Sequence, residues 1–534
     1  MGVFFRMPNG FATSTQLRAM AEIFRRIGNY AARAADVLAQ RRHFDSDEPS
    51  TLNTGDRGAV TRHTSGQQLD VAKAGRPVAK STLGIRKMHL EKLSTTMACA
   101  LLGWSAAQAQ TLNNIYEFVG GTNAASPLAG VAIGKGSDGG RILYGATTGG
   151  GLYNRPCPPG IGCGVIFSLS PPASPQGTWT ENVIYSFTAG VDGWLPAGVR
   201  AATTPSGQTV LYGTTWYGGE KHGNGSGTVF ALTQETTGGS WKLSVLHRFQ
   251  VSDGEYPYGG VVLGGTAEHP VLYGTSFQGG SMGYGTVWAL ALNSSGTVTE
   301  TVLHNFTGGQ DGQNPDSGLT VEQTSTGQTI LFGTTVGGGP GGGGTVFAVT
   351  SPQPGNAGGA WTETILHGFG GPDGSYPWEG VTVGGDAPGS PLVLYGTTAY
   401  GGASGYGTVY SLTWPDVAGG AWNEEVLYSF TGSGDGGQPE GVPVADWSTG
   451  SLVLYGTSVQ GGTGPGYAGC GTAYSVTQGA AGGAWTEAVL HAFTGGADGC
   501  APTAGLTRGK DGSFYGTTNS GGNSYDGTVY ELIP

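Results

Sequence analysis

The chain has 534 residues, including 104 glycines and 28 prolines; 10% are aromatic and only 11% are charged, which excludes a chain that is disordered throughout. The net charge of −12 divides into a basic part, residues 1–87 with 14 Lys and Arg against 7 Asp and Glu, and an acidic part, residues 110–534 with 9 against 28. The acidic part has no basic stripe, which excludes nucleic-acid binding.

Residues 1–87 form an upstream extension with two interpretations. One is a wrongly assigned start, with the true start at Met88. The other is a translated extension, either disordered or containing an amphipathic helix from Thr15 to Arg42 with basic residues on its polar side. A peptide from residues 1–87 in the mass spectrum of the expressed protein would rule out the first interpretation.

Residues 88–109 have the three-part pattern of a secretory signal peptide. A short charged start with Lys92 precedes an apolar run from Leu93 to Ala107, and Ala107-Gln108-Ala109 is a small-x-small cleavage signature. The apolar run is too short for a membrane span. We therefore predict cleavage near Ala109 and a secreted or periplasmic protein with no membrane span.

Residues 110–534 contain one phrase, LYGTT or a close variant, seven times at intervals of 59 to 68 residues. Its second residue is Tyr144, Tyr212, Tyr273, Phe332, Tyr395, Tyr455 or Tyr515. Each unit has four short runs rich in Val, Ile, Thr, Phe and Tyr, bounded by glycine-rich turns. Four antiparallel strands per unit, here called a, b, c and d, predict the blades of a propeller.

The two ends of this region predict how the ring closes. The last unit stops after GTVYELIP, which is strand c, whereas Thr111 to Phe118 matches the strand d pattern at Thr180 to Phe187. The first strand would then complete the last blade, leaving no free sheet edge. We predict an all-β, seven-bladed β-propeller of four-stranded antiparallel blades over residues 110–534.

Glycines in this region have two predicted roles. Paired glycines after LYGTT suit turns that need positive φ. The glycine within LYGTT is predicted to mark the close approach of a backbone from a neighbouring blade.

The extended phrase LYGTTxxGG…GTVFxLT…WTExVLHxFTGGxDGxxPxxGL resembles the GloVer tandem repeat of exported bacterial proteins with a choice of anchors. The resemblance covers nearly all of residues 110–534. It implies export and a repeat architecture and implies no activity. Such proteins can end in a sorting tail, whereas this sequence ends at Pro534 directly after strand c. We therefore expect a free protein rather than an anchored one.

The loops from strand d to the next strand a carry an Asp-Gly pair in six blades: Asp192, Asp253, Asp311, Asp373, Asp435 and Asp498. The first such loop has Asn123-Ala124 instead. One interpretation is turn chemistry, in which Asp bonds its own backbone and Gly takes positive φ. The other is a ring of carboxylates that binds Ca²⁺ or a cationic ligand. No other cofactor is indicated, and no metal ligands are assigned.

Aromatic residues collect in three of these d–a loops: Trp194, Tyr256, Tyr258, Tyr376 and Trp378. The b–c loops, expected on the same face, add Trp216, Tyr217, Tyr284, Tyr406, Tyr467 and Tyr525. These rings either pack on the neighbouring prolines or stack on sugar rings, with the carboxylates taking the hydroxyls.

Strand d carries recurring histidines, which alternate with tyrosine: His247, His304, His367 and His491 against Tyr116, Tyr185 and Tyr428. Each of these residues lies on the outermost strand of a different blade, so they are expected to be far apart. Because histidine also alternates with tyrosine here, we interpret the position as an amphipathic packing position rather than a metal site. Tryptophans begin the same strand and are predicted to cover blade edges: Trp179, Trp241, Trp361, Trp422 and Trp485.

Four cysteines remain after the signal peptide, an even number in an exported chain. Cys157 and Cys163 lie in the first b–c loop, and Cys470 and Cys500 lie in two loops expected to be neighbours on one face. We predict the disulfides Cys157–Cys163 and Cys470–Cys500.

No catalytic motif is assigned: HExxH and GxxxxGK[ST] do not occur, and no GxSxG nucleophile elbow is predicted. We therefore expect a monomeric binding or display module whose partner is a glycan or a protein, with the carbohydrate favoured. One alternative is an extracellular carbohydrate-active hydrolase or lyase with carboxylates from different blades. Another is a purely structural cell-surface protein.

Overall fold

The computed structural model describes residues 110–534, apart from 137–138, 153–156, 158–160, 175–176, 222–224, 237, 294–296, 357, 385–391, 416–419, 449, 465–468 and 480–481. The upstream extension, the signal peptide and Tyr467 lie outside the described residues.

The described residues form seven four-stranded antiparallel sheets, which are the blades of the propeller. The first blade consists of β3 (Ala132–Lys135), β4 (Arg141–Thr147), β6 (Val165–Ser170) and β7 (Thr180–Ser186). The second consists of β8 (Trp194–Thr203), β9 (Thr209–Tyr217), β10 (Thr228–Gln234) and β11 (Trp241–Arg248). The third consists of β12 (Val262–Gly265), β13 (Pro270–Ser276), β14 (Thr286–Leu292) and β15 (Val298–Asn305). The fourth consists of β16 (Thr320–Gln323), β17 (Thr329–Thr335), β18 (Thr345–Thr350) and β19 (Thr362–Gly368).

The remaining blades follow the same plan. The fifth consists of β20 (Thr382–Gly384), β21 (Val393–Thr398), β22 (Thr408–Thr413) and β23 (Asn423–Ser429). The sixth consists of β24 (Val444–Asp446), β25 (Val453–Ser458), β26 (Thr472–Gln478) and β27 (Trp485–Ala492). The seventh consists of β28 (Thr507–Arg508), β29 (Phe514–Thr518), β30 (Thr528–Ile533) and β1 (Thr111–Glu117). A small extra pair joins β2 (Ala124–Ala125) to β5 (Gly149–Gly150).

The predicted closure of the ring is confirmed. Strand β1 pairs antiparallel with β30, from Thr111 opposite Ile533 to Glu117 opposite Thr528. The N-terminal strand is therefore the outer strand of the last blade, and the two ends of the described chain hold one sheet together.

A ring of aromatic pairs links the blades. The phenylalanine that follows strand d packs against the aromatic residue of strand c in the next blade, at centroid distances of 5.0 to 5.3 Å. The pairs are Phe118–Phe167, Phe187–Phe230, Phe249–Trp288, Phe306–Phe347, Phe369–Tyr410, Phe430–Tyr474 and Phe493–Tyr530. Because these rings are almost completely buried, the hydrophobic core runs from blade to blade.

The glycine within LYGTT is needed for a different reason from the one expected. A Cβ at Gly396 would lie 2.3 Å from the Tyr410 hydroxyl, and a Cβ at Gly333 would lie 2.6 Å from the ring of Phe347. The crowding comes chiefly from the strand c aromatic of the same blade, which lies across the glycine. The expectation of a neighbouring backbone was wrong in this respect, and the glycine of the repeated phrase makes room for the buried ring.

The two threonines of the phrase also have separate tasks. The first bonds the next blade: Thr275 Oγ1 donates to the carbonyl of Ser317 at 2.8 Å, and Thr457 Oγ1 donates to that of Ala504 at 2.9 Å. The second stays within its blade, since the Thr335 and Thr345 hydroxyls lie 2.8 Å apart. The residues of LYGTT thus stabilise each blade and bond it to the next one.

Candidate functional site

Antiparallel strands place the d–a and b–c loops on one face of the propeller, here called the loop face. The opposite face carries the a–b and c–d loops. Among the described residues, the aspartates and aromatics that the sequence singles out in the d–a and b–c loops lie on the loop face.

The repeated aspartates bond the end of strand d. Asp192 accepts hydrogen bonds from the Tyr185 hydroxyl at 3.0 Å and from the Thr188 amide at 2.9 Å. The same arrangement places His367 Nε2 2.8 Å from Asp373. Across the six blades with this aspartate, the His or Tyr atom lies 2.8 to 3.5 Å from a carboxylate oxygen.

A β-bulge precedes each of these His or Tyr residues. In the third blade His304 lies opposite Val287 and Val302 lies opposite Trp288, which leaves Leu303 unpaired. The same register shift occurs in the outer strand of every blade. A bulge re-aims the side chains beyond it, so the recurring histidine faces its aspartate.

A glutamate of the following blade approaches four of these aspartates. Burial, together with the charge of Asp311, raises the pKa of Glu363 to about 7. Burial first and then Asp373 raise the pKa of Glu424 to about 7, and burial and Asp435 do the same for Glu487. Burial and the charge of Asp253 raise the pKa of Glu300, whereas the nearby His247 lowers it. Paired carboxyl groups therefore occur at four blade junctions, a feature that the sequence reasoning missed.

Three of the predicted ligand-binding aromatics are buried. Trp194, Tyr256 and Tyr258 are 9%, 7% and 6% exposed. They form one cluster with Trp216, Tyr217 and Phe277, in which neighbouring centroids lie 4.7 to 6.1 Å apart. The Tyr217 and Tyr258 hydroxyls lie 3.2 Å apart inside it. In this blade pair the aromatics pack on one another.

Blade five presents its aromatics differently. Tyr376 is 45% exposed and packs edge-to-face against half-buried Tyr400 at a centroid distance of 5.6 Å. Trp378, two residues further on, is half-buried. Three other loop-face tyrosines are also exposed: Tyr284, Tyr406 and Tyr525.

Tyr376 occupies a position with unusual backbone geometry in every blade. The residue before the loop proline has φ between 53° and 59° although it is never glycine: Ser126, Leu195, Tyr256, Asn314, Tyr376, Gln438 and Ala501. Each amide donates to a b–c loop carbonyl of the preceding blade at 2.7 to 3.0 Å. Left-handed geometry costs a non-glycine residue about 1–2 kcal/mol, so the contacts between loops hold it in place.

These seven residues are of six types, with tyrosine in two blades, whereas the Asp, Thr and Gly of the blades repeat. Position-specific chemistry on the loop face can therefore come from here. The signal was in the sequence, as a variable residue before each loop proline, but a search for repeats favours the residues that recur.

Both predicted disulfides are confirmed. Cys157 and Cys163 are bonded with a Cα–Cα distance of 5.0 Å, and Cys470 and Cys500 with 4.6 Å. The second bridge joins the sixth blade to the loop that enters the seventh, where the Ala501 amide also donates to the Cys470 carbonyl at 2.9 Å. Disulfides are typical of extracytoplasmic proteins.

The described residues contain no group of three or more His, Cys, Asp or Glu side chains placed to hold a metal ion. A membrane-crossing helix is likewise not found among them. Whether the aspartates of the loop face bind calcium stays a prediction.

A comparison with protein-family models shows which family the chain belongs to. The model of the Gloeobacter/Verrucomicrobia repeat matches residues 105–329, 211–381 and 327–534. The chain belongs to this repeat family. Each matched range spans more than one blade, and the match confirms the resemblance found in the sequence.

Among solved structures, a protein of unknown function from Dyadobacter fermentans is 14% identical, with a TM-score of 0.36 over 71% of this chain and 98% of that chain. The GH93 α-L-arabinofuranosidase of Fusarium graminearum is 12% identical, with a TM-score of 0.37 over 80% and 98%. The Penicillium chrysogenum α-L-arabinanase is 12% identical, with a TM-score of 0.39 over 79% and 97%. At these values the likeness carries no inference about function. A search of curated proteins finds no match.

Proposed function

We propose that this Gloeobacter/Verrucomicrobia repeat protein is an exported, monomeric carbohydrate-binding module that holds sugar rings on its loop face. The observation that carries the proposal is the exposed ring of Tyr376. It is the one large exposed side chain among the seven equivalent positions before the loop prolines. Flat aromatic rings stack on sugar rings while nearby polar groups bond the hydroxyls.

The backbone of Tyr376 is fixed on both sides. Its amide donates to Gly343 at 2.7 Å, and its carbonyl accepts from Ala399 at 3.1 Å. Tyr400 supports the ring itself. A ring held in this way loses little conformational freedom when a ligand binds, and this lowers the cost of association.

A titration with soluble polysaccharide fragments tests the proposal. The double variant Tyr376→Ala, Trp378→Ala should bind at least about tenfold more weakly than the wild type, which corresponds to about 1.4 kcal/mol. Trp447→Ala is the matched control, since Trp447 is 38% exposed but lies in an a–b loop on the opposite face. Equal binding by all three proteins would overturn the proposal.

A carbohydrate hydrolase is the second candidate, favoured by one observation. Glu424, whose pKa is raised to about 7, lies near Asp373, three residues before Tyr376. Glycoside hydrolysis uses two carboxyl groups, one of which has a raised pKa and acts as the acid. The same pairing recurs at three other junctions, which favours a structural role. Chromatography of polysaccharide incubated with wild type and with Glu424→Gln decides: release of products by the wild type alone would establish the hydrolase.

A further inference from the structure

The net negative charge of the propeller comes from one part of the ring. Residues 249–507, which contain blades three to six, have 19 Asp and Glu and no Lys or Arg. Of the 28 acidic residues in 110–534, the other 9 lie outside this segment together with all 9 Lys and Arg, so the rest of the propeller has no net charge. A surface with charges of one sign attracts ligands of the opposite sign.

Trp378 lies between two acidic positions of the ring. It directly follows a loop proline, and the equivalent residues are Asp316 in the fourth blade and Glu440 in the sixth. Glu379 is its neighbour in the chain. The corresponding residues of the other four blades are uncharged: Leu128, Ala197, Tyr258 and Thr503. At this position, acidic residues therefore occur only in the two blades beside that of Trp378.

Hydrogen bonds hold these chain segments of the fourth, fifth and sixth blades side by side. Thr334 Oγ1 of the fourth blade donates to the Glu379 carbonyl at 2.9 Å. Thr397 Oγ1 of the fifth blade donates to the carbonyl of Gly441, the residue after Glu440, at 3.2 Å. Both glutamates are half-buried, so each remains partly accessible to solvent. The acidic residues therefore share one region of the loop face with the proposed carbohydrate site.

Three exposed tyrosines of the loop face lie in the same acidic segment. Tyr284, Tyr376 and Tyr406 are 41%, 45% and 41% exposed, and all three lie within residues 249–507. An aromatic face attracts an ammonium group as well as a sugar ring. Aromatic rings and carboxylates in a segment without Lys or Arg therefore fit a ligand that has both sugar rings and positive charge.

We propose that the glycan bound at Tyr376 and Trp378 is an amino-sugar polymer with free, protonated amino groups. This inference rests on the proposed carbohydrate function and names the class of glycan. The sugar rings stack on the aromatic residues, and the ammonium groups donate charge-assisted hydrogen bonds to Glu379 and Glu440. Neutral glycans lack the second interaction, and acidic glycans are repelled by the negative surface.

Calorimetric titration of the wild type with two oligomers of the same backbone tests the inference. Hexamers of glucosamine and of N-acetylglucosamine differ in charge, because acetylation removes the positive charge of the amine. At about pH 6 and low salt, the glucosamine hexamer should bind at least about tenfold more tightly than the acetylated hexamer. Its affinity should fall as salt is added, because salt screens interactions between charges.

The double variant Glu379→Gln, Glu440→Gln removes two charges and nearly keeps the shapes of the side chains. It should bind the glucosamine hexamer at least about tenfold more weakly than the wild type does, and the acetylated hexamer equally well. Glu268→Gln, Glu322→Gln is the matched control, since it removes two charges from the a–b hairpins of the third and fourth blades, on the opposite face. This control should bind both hexamers as the wild type does.

The outcomes separate this inference from the proposed function. Equal binding of the two hexamers by the wild type, or an equal loss of both in the Glu379→Gln, Glu440→Gln protein, would overturn the inference and leave carbohydrate binding in place. Hexalysine bound as tightly as the glucosamine hexamer would also overturn it, because a basic peptide would then be the better ligand. Binding of neither hexamer would overturn the inference, and the titration with polysaccharide fragments would then decide the proposed function separately.

Discussion

Tyr116, in the first described strand, donates a 2.8 Å hydrogen bond to Glu181, in the first blade. This contact lies at the junction where the ring closes. The loop that follows β1 has Asn123-Ala124 in place of Asp-Gly. Tyr116 therefore bonds a carboxylate of the neighbouring blade instead of one in its own loop. Glu181 also accepts from the Ala124 amide at 3.0 Å. The closure junction is thus built from different residues to the same pattern.

Tyr116→Phe should lower the free energy of unfolding by about 1–3 kcal/mol, because it leaves one oxygen of the half-buried Glu181 unpaired. Equilibrium denaturation measures this. Leu243 and Leu112 occupy the position of Glu181 in the second and seventh blades, as their strand registers show. Adding Glu181→Leu should therefore restore much of the lost stability. A double variant less stable than Tyr116→Phe would show that the contact is not the cause.

The paired carboxyl groups predict that stability rises as pH falls from about 8 to about 5. Glu363, Glu424 and Glu487 have pKa values raised to about 7, so the folded state binds their protons more tightly than the unfolded chain does. The penalty for ionising them is present above pH 7 and disappears as pH falls towards their unfolded values. His304, whose pKa is lowered by burial despite the nearby Asp311, acts in the opposite direction over part of this range.

Urea denaturation at pH 5.5 and pH 8 tests this expectation. Changing the three glutamates to glutamine should raise the midpoint at pH 8 and flatten the pH dependence. Glu220→Gln, at an exposed position, is the control and should leave the dependence unchanged. An unchanged slope in the triple variant would assign the pH dependence to other groups.

Gly396→Ala should be severely destabilising, by about 2–5 kcal/mol, because a new Cβ would overlap the buried ring of Tyr410. Thermal unfolding measures the loss. Gly434→Ala is the control, since nothing lies within 4 Å of a Cβ there. The double variant Gly396→Ala, Tyr410→Ala removes the ring that the new Cβ would overlap. Its loss in free energy of unfolding should be smaller than the sum of the losses in the two single variants. Strict additivity would mean that the glycine serves another purpose.

Removal of the Cys470–Cys500 bridge should lower the thermal midpoint more than removal of Cys157–Cys163. The first bridge spans 30 residues and the second spans 6, and longer loops lose more entropy when they are closed. Paired Cys→Ala variants, compared by calorimetry without reductant, provide the measurement. The opposite order would show that local packing, not loop closure, dominates.

Much of the architecture followed from the sequence because it repeats. Seven phrases of similar spacing gave the blades, and the unmatched strand d at Thr111 gave the closure. The site was less accessible. Trp194 and Tyr376 occupy similar aromatic loops, yet one is 9% exposed and the other 45% exposed. The difference depends on which rings neighbouring blades contribute. The pairing of Glu424 with Asp373 was hidden for the same reason, since it joins residues of two blades.

A glycan array probed with the purified protein tests the central claim most directly. We predict binding to a defined set of glycans by the wild type, and loss of that signal in the Tyr376→Ala, Trp378→Ala protein. The signal should be the same in calcium and in chelator, because the loop-face aspartates already accept hydrogen bonds from their own loops. Binding that requires calcium would assign those aspartates to the ligand instead. No binding in either condition would contradict the account.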